Sequence, residues 1–197
     1  MCIRQKTNKG QYAAAAAALQ SYLEAEPDGI FSGEAYLYLG RCRIEQKQAA
    51  KAVPYLDELC AGTKKVAGGG SVPVAEAVLW RARIHSRAGE YAKAAAFIGT
   101  HLPKLAGNSL LSDLLFDQAN SFVAAKNYKG AADALKKVLS DPKWPQANDA
   151  LRLYAISLHH TGDLAGSLAQ ADKFIASYGK DPLVSEVVFV RAENLYF

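Results

Sequence analysis

The sequence predicts an all-α chain of antiparallel helical hairpins repeated along its length. Three observations predict it. Small residues recur at Gly40, Ala82, Ala119, Ala155 and Ala192, with spacings of 42, 37, 36 and 37 residues. A second ladder, Ala15, Ala52, Ala94, Ala131 and Ser167, runs in step with the first, 12 residues behind it in each complete unit. Between the two lie polar turns: Gly10-Gln11-Tyr12, Gly89-Glu90-Tyr91, Asn127-Tyr128 with Gly130, and Gly162-Asp163-Leu164. Two antiparallel helices approach most closely where both carry small side chains. Larger apolar residues such as Tyr36, Leu39, Leu56, Leu115 and Leu151 then interdigitate on either side. A fixed period of this length marks an array of stacked helical units, each contacting mainly its neighbours.

Residues 2–9 read as the remnant of a first helix and Tyr12–Glu24 as its partner, whose six-alanine run Ala13–Ala18 has high helix propensity. Pro27-Asp28-Gly29 ends it. The second hairpin is Ser32–Gln46 and Ala49–Cys60, with Ser32 as N-cap. The stretch 61–73, containing Gly68-Gly69-Gly70, absorbs the extra residues of the long spacing and reads as a mobile loop or a contact site. The third hairpin is Val74–Arg87 and Tyr91–Leu102, after which Pro103 and Gly107 break the chain. The fourth is Leu110–Ala125 and Tyr128–Leu139. In the rigid loop Asp141-Pro142-Lys143-Trp144-Pro145, Trp144 either plugs a gap between hairpins or faces a ligand. The fifth hairpin is Pro145–His159 and Leu164–Tyr178, and a last helix starts at Pro182.

Composition narrows the function classes. Half of the 197 residues are hydrophobic and 21% are charged, the make-up of a helix-rich globular chain. The net charge of +4 is mild. The longest basic runs are Lys64-Lys65 and Lys136-Lys137, so no nucleic-acid partner is expected. No apolar run approaches the roughly 18 residues of a membrane span and no signal peptide is visible, so direct membrane insertion is not expected. Cys2, Cys42 and Cys60 form no Cys-x-x-Cys pair. Cys42 and Cys60 stand at different heights of one hairpin and read as buried free thiols. Glu193-Asn194-Leu195-Tyr196-Phe197 matches the recognition sequence of a widely used tag-removal protease, short of its final Gln. The expectation is therefore one repeat array over residues 1–192, with its first and last hairpins incomplete, followed by a tag remnant at 193–197. The alternative places 193–197 in a sixth repeat.

No catalytic, cofactor-binding or metal-binding constellation emerges. His85 reads as a packed side chain of its helix. His159 and His160 are adjacent, whereas metal ligands on one helix want a spacing of three or four residues. His101 completes the set. No enzyme and no cofactor are expected. A row of acids does stand out: Glu34, Glu76, Asp113, Asp149 and Glu186 each lie six residues before the small residue of their helix. Carboxylates in a first turn are stabilised by the positive helix end by roughly 0.3–1 kcal/mol each. A groove would instead use them as one margin. Further rows would then be Leu37, Leu79, Phe116, Arg152 and Phe189, and next Arg41, Arg83, Asn120 and Ile156. Such an amphipathic channel suits a peptide with apolar anchors and a few charges.

The small residue of the first helix, the Gly-Asp-Tyr-like turn, the early alanine of the second helix and the proline near its end (Pro27, Pro142, Pro182) resemble those of tetratricopeptide repeat proteins over nearly the whole chain. The resemblance implies a right-handed α-solenoid whose first helices line a concave face. The period of 36–37 exceeds the family's usual 34. Openings such as Gly33-Glu34-Ala35, Ala75-Glu76-Ala77 and Asn148-Asp149-Ala150 are similar to the bacterial cell-envelope branch, the outer-membrane assembly lipoproteins and TolA-binding proteins. That points to the periplasm or cell envelope over the cytoplasm. The function expected is a non-catalytic scaffold that binds a protein or peptide along the concave face. The alternatives are a spacer or oligomerisation segment of a larger protein, self-associating through its end helices, and an accessory domain fused to an enzyme.

Overall fold

The computed structural model describes residues 11–196. The helix expected over residues 2–9 and Cys2 lie outside the described residues. Among the described residues there are ten α-helices and no strand. The chain divides into two compact units, Met1–Leu111 and Ser112–Phe197. In the first are α1 (Tyr12–Ala25), α2 (Ser32–Glu45), α3 (Ala49–Cys60), α4 (Val72–Arg87) and α5 (Tyr91–His101). In the second are α6 (Leu111–Ala124), α7 (Tyr128–Val138), α8 (Ala147–Thr161), α9 (Leu164–Tyr178) and α10 (Val184–Tyr196). The fold is an all-α helical repeat. Within each unit helices pack on their sequence neighbours, and α2 also touches α4 as α8 touches α10, so like helices stack on like.

The two ladders mark the closest helix approaches. Ala52, Ala94, Ala119, Ala131, Ala155 and Ser167 are fully buried. A Cβ added at Gly40 would stand 2.8 Å from the Leu56 side chain. Ser167 is small enough to reach across its hairpin, and its hydroxyl donates to the carbonyl of Ala155 at 2.7 Å. Ala192, the last member of the first ladder, is exposed.

The hairpin turns share one backbone feature. Seven residues after Gly40, Ala82, Ala119 and Ala155 stands a left-handed position: Lys47 (φ 59°), Gly89 (φ 76°), Lys126 (φ 58°) and Gly162 (φ 82°). Glycine does this at no steric cost, whereas a side chain pays about 1–2 kcal/mol. The expected turn glycine Gly130 lies instead in the first turn of α7, where its N–H is capped by Asn127 Oδ1 at 3.1 Å. Lys126→Gly should therefore stabilise the protein by about 0.5–1 kcal/mol in a thermal or urea melt, glycine's greater unfolded freedom offsetting part of the gain. A melting temperature unchanged or lowered would contradict this reading of the turn.

Two local expectations need correcting. Ser32 is not an N-cap: it is the first residue of α2, and its buried hydroxyl donates to the Lys65 carbonyl at 3.4 Å. The stretch 61–73 is tied down rather than loose. Gly33 N–H donates to the same carbonyl at 2.7 Å, Glu34 Oε1 accepts the Ala67 N–H at 3.1 Å, and Lys64 lies over the Tyr36 ring at 5.0 Å. Only Gly33 fits there, since a Cβ would stand 2.6 Å from the Lys65 oxygen.

Candidate partner-binding face

The acid row is taken up by contacts within the chain. Glu34 holds the 61–73 stretch. Glu76 accepts from Arg41 at 3.5 Å. Asp113 accepts the Trp144 indole N–H at 3.2 Å. Asp149 and Glu186 flank Arg152 at 3.8 and 2.6 Å. Arg41–Glu76 and Arg152–Glu186 join equivalent helices of successive repeats. Glu76 and Glu186 thus clip one hairpin to the next, while Glu34, Asp113, Asp149 and Glu186 also sit in the first turn of α2, α6, α8 and α10.

The row of expected apolar anchors splits. Leu37 and Leu79 are core residues, 2% and 6% exposed, and no ligand reaches them; the helices packed on either side of α2 and α4 cover that position. Phe116 is half-buried against Trp144, ring centres 4.8 Å apart. Arg152 is 15% exposed between its two carboxylates. Phe189 is open at 63%. In the next row Arg41 and Ile156 are half-buried, while Arg83 and Asn120 are exposed. Asn120 donates to the Phe116 carbonyl at 3.0 Å.

What the structure adds is a pair of aromatics, each two residues before its small residue. Tyr38 and Trp80 are half-buried. The Arg41 guanidinium lies 5.9 Å from the Tyr38 ring centre and 5.3 Å from that of Trp80. The Arg83 guanidinium lies 5.6 Å from the same indole. Such cation–π contacts hold an arginine in place without using its N–H groups. The helical period could have found this pair, since Tyr38 and Trp80 are 42 residues apart, like the small residues they precede.

The polar residues elsewhere are structural. Arg81 Nη1 donates to His85 Nε2 at 2.8 Å, which leaves His85 Nδ1 protonated and 2.7 Å from Glu90. Lys93 and His85 together hold the Glu90 carboxyl below its usual range. His159 and His160 have separate partners, Asn194 and the stacked Tyr128. Cys42 and Cys60 are buried free thiols, and burial pushes Cys60 up to about 12. Among the described residues no group of three or more His, Cys, Asp or Glu could hold a metal ion. No helix among them is long and apolar enough to cross a membrane.

Two tetratricopeptide-repeat family models match the chain, one over residues 8–61 and one over residues 116–182. The chain belongs to the tetratricopeptide repeat superfamily. No curated protein matches it significantly. Among solved structures, a tetratricopeptide repeat protein from Parabacteroides merdae is similar over 98% of this chain and 70% of its own, at 20% identity and a TM-score of 0.69. BtubC from P. vanneervenii is similar over 98% and 83%, at 13% identity and 0.68. MamA is similar over 100% and 98%, at 15% identity and 0.66. At these identities the likeness shows the fold. Tetratricopeptide repeats serve generally as protein-interaction modules.

Proposed function

We propose that this tetratricopeptide repeat protein is a non-catalytic scaffold that holds a protein partner along the face of its first helices. The observation that carries this reading is the gathering of Arg41, Trp80 and Arg83 on α2 and α4, each at least partly open to solvent. A core needs no solvent-reaching arginines placed over a tryptophan, whereas an interface draws on both residue types. A cell-envelope setting rests on the longer repeats and the acid-Ala helix openings alone.

The test is retention of proteins from a bacterial extract by the wild type and by an Arg41→Glu/Arg83→Glu double mutant of unchanged helicity. A partner kept by the first and lost by the second supports the reading; equal retention by both overturns it. A second reading, self-association through an end helix, is favoured by the exposure of Leu183, beside α10, and of Val188 and Phe189 on it. Sedimentation decides it: a concentration-dependent mass abolished by Phe189→Glu supports self-association, and a monomer at all concentrations removes it.

A further inference from the structure

The first unit's face carries chemistry more specific than a general protein contact. Along α4, Glu76, Trp80, Arg83 and Arg87 succeed one another at four, three and four residues, a single stripe of the helix. Tyr38 and Arg41 of α2 stand beside it. Arg41 is 37% exposed and meets Glu76 at 3.5 Å, long beside the roughly 2.7–2.9 Å of a tight charge-assisted bond. A guanidinium carries five N–H donors in a rigid fork, so Arg41 retains donors for an incoming carboxylate. Arg83 and Arg87, one turn apart, are exposed. Stacking on Tyr38 and Trp80 holds the Arg41 plane while its edge stays available, the arrangement that suits bidentate carboxylate binding.

Building on the scaffold reading, we infer that this stripe takes an acidic segment of a protein partner. Its carboxylates meet Arg41, Arg83 and Arg87, and an apolar or aromatic side chain lies against Trp80 and Tyr38. The same elements speak against nucleic acid. Glu76 on α4 pairs with Arg41 and Glu45 lies one turn beyond Arg41 on α2, and the whole chain carries only +4. A peptide can place its acids opposite the arginines and pass the glutamates with neutral residues. A phosphate backbone, charged at every step, cannot.

The experiment is selection from an immobilised random-peptide library by the full chain, followed by fluorescence anisotropy with the best labelled peptides. The retained pool should be enriched in Asp and Glu with an aromatic or leucine nearby. Changing the peptide's acids to their amides, or the protein's Arg41→Gln/Arg87→Gln or Trp80→Ala, should each weaken binding about tenfold or more. Arg87→Gln alone, at an exposed site, reports the charge contact even if Trp80→Ala perturbs the fold. An empty pool, a pool without acidic enrichment, binding indifferent to all of these changes, or tighter binding of an oligothymidylate would overturn the proposal. If the extract experiment yields a partner lost by Arg41→Glu/Arg83→Glu while the library pool is not acidic, the acidic ligand fails and the scaffold reading stands.

Discussion

Phe174→Ala is expected to destabilise the protein by about 3–5 kcal/mol, a large share of the roughly 5–15 kcal/mol that holds a typical domain folded. Phe174 is the largest fully buried side chain among the described residues. It sits on α9 against Leu151 and Ala155 of α8, Ala171 of its own helix and Val187 of α10. Tyr178 packs on its ring, centres 5.5 Å apart. Two of those neighbours are alanines, one of them held at a closest helix approach, so little of the wall can lean in to fill the hole. That places the cost above a bare transfer energy. Hairpins contact mainly their neighbours, so the loss should be local. Urea unfolding gives the size of the effect and amide exchange its place: protection should fall over α8–α10 and persist over α1–α3. A cost under about 1 kcal/mol would show that the ring is not core, and an equal loss of protection in all ten helices would show a single cooperative unit.

The fold was legible in the sequence because close packing leaves a periodic trace. Gly40, Ser167 and the buried alanines of both ladders mark the points where helices nearly touch, and only small residues serve there. Turn positions were legible only where they were glycine. Lys47 and Lys126 adopt the same left-handed backbone at the same offset, yet lysine signals nothing of the kind. The 61–73 stretch misled for a related reason: three glycines suggest mobility, while the contacts that pin it come from Ser32, Gly33 and Glu34, distant in sequence. For the binding face, helical spacing tells which residues share a side of one helix. It does not tell how much of that side the neighbouring helices cover. Leu37 and Leu79 therefore fell into the core, while Tyr38 and Trp80, one residue further on, stayed partly open. The pairing of the acids could have been read, since Arg41 and Glu76 stand 35 residues apart, the 42-residue repeat of their helices less two helical turns.

Trp144→Ala should also cost about 3–5 kcal/mol, whereas Trp144→Phe, which keeps one aromatic ring while losing the donor and part of the ring volume, should cost about 1–3 kcal/mol. The difference separates the two jobs of this side chain. Its ring packs on Phe116, and its N–H satisfies Asp113 in the first turn of α6. The same loop is fastened through Asp141, which accepts from the Ser112 hydroxyl at 2.8 Å and from the Lys143 N–H at 3.1 Å. Loss of the indole would leave a gap under the loop and a carboxylate without its partner. A tryptophan that is 7% exposed, with its single donor committed, has little to offer a ligand, so plugging the hairpin is the reading its geometry favours. Trp144→Phe should therefore lower stability and leave peptide retention unchanged; retention lost at unchanged stability would make Trp144 a ligand contact instead. The chain has only two tryptophans, so this variant leaves Trp80 as the sole indole emitter. A change in its emission on adding an acidic peptide would report occupancy of the arginine stripe directly, and silence of that emission during saturable binding would place the peptide elsewhere.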